Sequence, residues 1–91
     1  MPRYIVERAF PDGFRIPISE AGERLCRSVI HNNTRNGVTW IHSYVSEDLT
    51  KTFCVYDAPS PEAIRSAAAA NNHSVVSITP VRVLDPYFYR S

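Results

Sequence analysis

The residues best equipped for chemistry sit around one short run, Gly37-Val38-Thr39-Trp40-Ile41-His42-Ser43-Tyr44-Val45. On a β-strand successive side chains point to opposite faces. Trp40, His42 and Tyr44 therefore fall on one side, and Thr39, Ile41, Ser43 and Val45 on the other. If this strand pairs with the run ending in Phe53-Cys54-Val55-Tyr56 so that His42 opposes Cys54, an imidazole and a thiol become neighbours. A neutral imidazole and a thiolate are ligands for borderline-soft metals such as nickel, zinc or copper. Glu7, amid apolar neighbours on an earlier strand, could reach the same face as a carboxylate ligand or a base.

The same residues have a plainer reading. His42 could be a buried histidine satisfied by the hydroxyls of Tyr44 or Tyr56, with Cys54 a small hydrophobe. A Cys54–His42 pair also fits the logic of an activated nucleophile, although a mid-strand position on a covered face denies substrate access. His31, near the end of a helix, and His73, in a loop, read as surface residues, and either could join a metal site through a dimer. No H-E-x-x-H or C-x-x-C pair is present, so there is no strong zinc motif, and the three glycines form no phosphate-binding pattern. Arg82 could pair with Glu7 or bind an anion. Asp57 opens the loop after its strand and reads as a cap or turn residue.

The elements that position these groups are legible from turns and caps. Tyr4 to Ala9 reads as a first strand, closed by Pro11-Asp12-Gly13. Phe14 to Ile18 is a connector. Ser19 offers an N-cap and Glu20 and Glu23 suit the first turn of a helix. That helix runs to Arg35 with Ala21, Leu25, Ser28, Val29 and Asn32 on its inner face, and Asn36-Gly37 stops it. Val38 to Ser46 and Thr50 to Asp57 form an antiparallel hairpin rich in strand-favouring residues. Ser60 caps a second helix with Pro61 at its first position and an Ala-rich body ending at Asn71-Asn72. Val75 to Leu84 is a last strand, and Pro80 restricts it to an edge or a bulge. Pro86-Tyr87-Phe88-Tyr89 is an aromatic tail.

The order β-α-β-β-α-β in 91 residues predicts a single α+β domain over residues 1–91. Its fold is the ferredoxin-like split βαβ sandwich, a four-stranded antiparallel sheet with both helices on one face. The hairpin then sorts its residues. With Trp40 opposite Tyr56 and Tyr44 opposite Thr52, the set Trp40, His42, Tyr44, Thr52, Cys54 and Tyr56 becomes the uncovered face. Ile41, Val45, Phe53 and Val55 pack under the helices. An uncovered face carrying a Trp and two Tyr is too apolar for water, so a second copy is expected to stack on it as a C2 homodimer resembling a dimeric α/β barrel.

Composition narrows the function classes. The formal net charge is +1 with both signs interspersed, so no basic stripe invites nucleic acid. No stretch approaches the length of a membrane span, and the N-terminal run lacks an apolar signal core, so a cytoplasmic location is expected. Cys26 and Cys54 are then free thiols, too few for an iron–sulfur cluster held by four cysteines of one chain.

Several blocks resemble a family of small bacterial domains of unknown function that carries the label nickel-binding protein. These are Pro2-Arg3-Tyr4-Ile5-Val6-Glu7-Arg8, the Gly37–Val45 run, the stretch from Lys51 through Asp57-Ala58-Pro59-Ser60-Pro61 to Ile64, and Val81-Arg82-Val83-Leu84-Asp85-Pro86. The resemblance covers essentially the whole chain. It implies a ferredoxin-like fold, a dimer and nickel binding, and the metal-capable side chains in those blocks are Glu7, His42, Cys54 and Asp57.

The expected function is therefore sequestration or delivery of a transition metal, nickel by resemblance and zinc or copper by ligand chemistry. No catalysis is assigned. The alternative is a small dimeric enzyme of the monooxygenase, isomerase or cyclase type. Trp40, Tyr44 and Tyr56 would wall its pocket, and His42 or Glu7 would be the base.

Overall fold

The structure of the chain, a computed structural model, describes residues 2–13 and 20–89. Among these the elements are β1 (Arg3–Ala9), α1 (Glu20–Arg35), β2 (Thr39–Val45), β3 (Lys51–Asp57), α2 (Pro61–Ala70), β4 (Ser77–Val81) and a 3-10 turn over Pro86–Tyr89. The expected connector over residues 14–18 and the Ser19 cap lie outside the described residues. The strands form one antiparallel sheet in the order β2-β3-β1-β4, which is the ferredoxin-like arrangement. Pro80 sits on β4 at the edge of that sheet, where its missing N–H breaks no inner ladder.

Local chemistry explains the element ends. Ser60, with extended backbone, accepts a hydrogen bond from the Ala63 N–H at 3.2 Å, and Pro61 follows at the first helical position. Gly37 takes φ +72° after α1, a left-handed value that suits a residue without Cβ. The β2–β3 turn is tied by Asp48, whose carboxylate accepts from the Ser46 and Thr50 hydroxyls at 2.7 Å and from the Thr50 N–H at 3.0 Å.

The core lies between the sheet and the helices. It gathers Tyr4 and Val6 from β1, Cys54 and Tyr56 from β3, and Ile64 and Ala67 from α2, with Trp40 packed against it. This corrects the expected sorting of faces. Trp40, Thr52, Cys54 and Tyr56 are expected on the uncovered face, but Thr52, Cys54 and Tyr56 are buried on the helix side, in register with Arg8, Val6 and Tyr4. Phe53 and Val55, expected under the helices, are on the other face in register with Glu7 and Ile5.

The physical cause is one residue. Trp40 does oppose Tyr56, as expected, but the register then shifts between Trp40 and His42. Ile41 is the extra residue, as in a β-bulge. From there His42 opposes Val55, Ser43 opposes Cys54, Tyr44 opposes Phe53 and Val45 opposes Thr52. Val45 thus turns to the helix side as expected, yet near the end of β2 it remains exposed. A slip of one residue exchanges the faces of everything beyond it.

Helix α1 is also rotated from its expected setting. Ala21 and Leu25 are exposed, and the inward stripe runs through Gly22, Cys26, Val29 and Asn33. A polar clamp joins the helices. Asn32 donates to the Asn71 side-chain oxygen at 2.8 Å, and the Asn71 amide donates to the Asn33 side-chain oxygen at 3.1 Å.

Candidate functional site

The bulge divides the chemically capable side chains between two faces of the sheet. The open face carries His42 and Tyr44 from β2, Phe53, Val55 and Asp57 from β3, and Arg3, Ile5 and Glu7 from β1, by register. His42 and Tyr44 are exposed, and their rings meet edge to face with centroids 5.1 Å apart. Glu7 is half-buried. It lies two strands away from His42, roughly 10 Å across the sheet, in the row of Phe53 and Tyr44.

Asp57 shares this face but has a partner. The Arg3 guanidinium holds it through two bonds, at 2.8 and 3.2 Å. The Arg3 hydrogen bond lowers the Asp57 pKa, and the same contact raises that of Arg3. The reading of Asp57 as a turn or cap residue is thereby replaced by an ion pair. Arg82 and Glu7 do not meet, because Glu7 pairs with Ser77 at one end of β4 and Arg82 follows Val81 at the other.

Cys54 is on the far side of the sheet from His42. It is buried, with its thiol 3.6 Å from the Thr52 hydroxyl. One chain therefore does not bring Cys54 to His42 as co-ligand, nor as a nucleophile–base pair. Among the described residues no three of His, Cys, Asp and Glu gather in a group able to hold a metal ion.

Behind the sheet, between it and α1, lies a cavity of about 270 Å³. Its walls include Trp40 and Tyr56, which were expected to line a pocket, but neither Tyr44 nor His42. The pocket expected around His42 is thus on the opposite face. Arg8, which sequence reasoning passed over, and His73, which it set at the surface, define it. Arg8 is only 4 % exposed; it donates to the Tyr56 hydroxyl at 3.0 Å and to the Ser74 carbonyl at 3.1 Å. His73, expected at the surface, is half-buried against this cavity, and its Nδ1 is buried without a hydrogen-bond partner. Burial, and then the Arg8 charge, lower the His73 pKa, which keeps the imidazole neutral. The signal for Arg8 was its place in the period-two row Tyr4, Val6, Arg8.

Burial also raises the Tyr56 pKa, with Cys54 adding to the effect and Arg8 opposing it. The phenol therefore stays protonated. His31 is exposed on α1. No helix among the described residues is long and apolar enough to cross a membrane.

Comparison with known proteins adds a lineage to this geometry. A family model described as "Nickel responsive protein SCO4226-like" matches residues 4–81. The crystal structure of SCO4226 from Streptomyces coelicolor A3(2) superposes with a TM-score of 0.70 over 91 % of this chain and 99 % of that one. Sequence identity is 13 %, so that likeness is one of fold. No curated protein matches the chain.

Proposed function

Because this chain belongs to the family of SCO4226-like nickel-responsive proteins, we propose that it binds nickel as cargo, for sequestration or delivery, and works as a symmetric homodimer in the cytoplasm. The observation that supports this best is the open sheet face. It presents an exposed imidazole, His42, beside Tyr44 and over the apolar side chains of Ile5, Phe53 and Val55. Imidazole and carboxylate are suitable nickel ligands. An apolar sheet face is what a second copy would cover.

The ligand set is centred on His42, with Glu7 on the same face. Asp57 could join only by leaving Arg3. Cys54 would have to act from the helix side, which makes it the weakest member of the expected set. With no group of three among the described residues of one chain, the two-fold stacking of open faces is the means by which a second His42 and Glu7 complete the coordination shell. Zinc and copper compete for such ligands, copper most strongly by its intrinsic affinity order.

Equilibrium dialysis against nickel, on protein without an affinity tag, tests the reading. Wild type is expected to bind nickel and His42→Ala to bind about tenfold or more weakly, as loss of a direct ligand requires. Equal binding by both removes His42 from the site. A monomeric mass by light scattering at micromolar concentration removes the dimer.

A further inference from the structure

The cavity behind the sheet holds a guanidinium in a position that needs explaining. A guanidinium stays charged under physiological conditions, and a charge taken out of water is costly unless it is paired. Arg8 is 4 % exposed. Among the described residues its hydrogen-bond acceptors are neutral, a phenol oxygen and a backbone carbonyl. The ion pairs among the described residues are Arg3–Asp57, Arg24–Glu20 and Arg27–Glu23, and none involves Arg8. The segment 14–19, absent from the described residues, contains no Asp or Glu to supply the missing charge.

Arg8 also borders open space. It lines the 270 Å³ cavity together with Phe10, Leu25, Val29 and Trp40. A guanidinium carries five N–H donors, and the Tyr56 and Ser74 bonds engage two of them. The neutral His73, with Nδ1 unpartnered, lies on the same wall. Apolar walls with a few convergent polar groups are the usual make-up of a small-molecule site. Here the polar end offers a cation and the remainder offers aliphatic and aromatic carbon.

We propose that this cavity binds a small amphipathic carboxylate, its anionic end paired with Arg8 and its apolar body against Trp40 and Val29. The volume is below that of sites for drug-sized ligands, which points to a short-chain or single-ring acid. The site is separate from the nickel face, since the sheet lies between them, and its occupant needs no metal.

Trp40 is the chain's one tryptophan and lines the cavity, so its fluorescence reports occupancy. The full chain is titrated with hexanoate and, separately, with 1-hexanol, each with and without EDTA. Hexanoate is expected to saturate the signal, unchanged by EDTA. Hexanol should bind about 10- to 100-fold more weakly, as loss of a charge-assisted hydrogen bond predicts. Arg8→Gln, with folding checked by circular dichroism, should bind hexanoate as weakly as wild type binds hexanol. If Arg8→Gln does not fold, the acid–alcohol comparison on wild type decides alone. Absence of saturation by hexanoate, equal affinity for acid and alcohol, or loss of hexanoate binding in EDTA each overturns the proposal.

Discussion

The imidazole of His42 meets the Tyr44 ring edge-on, with centroids 5.1 Å apart and the planes at 89°. Edge-to-face contacts of this kind fix ring orientation and add a modest attraction. Here the contact joins two exposed rings of the open sheet face. Tyr44 is itself 61 % exposed, a large apolar area to leave in water.

If that face is a dimer surface, Tyr44 is an anchor of the kind that dominates interfaces. Tyr44→Ala is expected to weaken the dimer by about tenfold or more. Secondary structure should be preserved, since the side chain is exposed and its ring contact is with the equally exposed His42. Sedimentation equilibrium over a concentration series measures the shift; an unchanged dissociation constant would remove Tyr44 from the interface.

The stability of the single chain rests on the other face. Ile64 on α2 is 1 % exposed and packs into the cluster that includes Val6 and Tyr56. Ile64→Val should cost about 1 kcal/mol and Ile64→Ala about 2–5 kcal/mol, because the truncation leaves a void that the sheet and helix fill only in part. Urea denaturation gives both values, and the ordering of the two variants is the check on burial.

Much of the topology was legible because it is written in local chemistry. Ser60-Pro61, Asn36-Gly37 and Pro11-Asp12-Gly13 act within a few residues of where they stand, and the elements end beside them. The assignment of faces depends on counting by two across a whole hairpin, and one added residue defeats the count. Ile41 is that residue. It carries no glycine or proline to mark a bulge, so nothing in the run distinguishes it from its neighbours. His42 and Tyr44 fell on the expected face, whereas Trp40, Cys54 and Tyr56 did not. Arg8 was obscured for a different reason. A mid-strand arginine ordinarily faces solvent, and only its row with Tyr4 and Val6 pointed inward.

Acid should weaken the hairpin tip. Hydrogen bonds from Thr50 and then Ser46 lower the Asp48 pKa from 3.8 to about 2. A carboxylate with a depressed folded-state pKa contributes stability that is complete above its unfolded-state pKa and is lost as pH falls through the folded one. Wild type should therefore lose part of its stability between about pH 4 and about pH 2. Asp48→Asn, which has no charge to protonate, should show a shallower decline over that window and lower stability at neutral pH. Thermal unfolding of both proteins at closely spaced pH values reads the difference. Parallel curves would mean that Asp48 is not the titrating group.

The bulge at Ile41 can be tested by removing it. Trp40 is anchored on the helix side, packed against the core and donating from its indole N–H to the Ser43 hydroxyl at 2.9 Å. Deleting Ile41 joins Trp40 directly to His42 and restores plain alternation along the strand. The Trp40–Tyr56 and His42–Val55 pairs then become consecutive, so Trp40, Ser43 and Val45 stay on the helix side and His42 and Tyr44 on the open face. What the deletion removes is the local bend and added twist of the bulge, not the assignment of either face. The variant is therefore expected to fold with the Trp40 ring still against the core, its stability within about 2 kcal/mol of wild type. Thermal unfolding and the Trp40 emission maximum read this. A red-shifted emission, or loss of the folded state, would show that the extra residue is needed to hold the two faces.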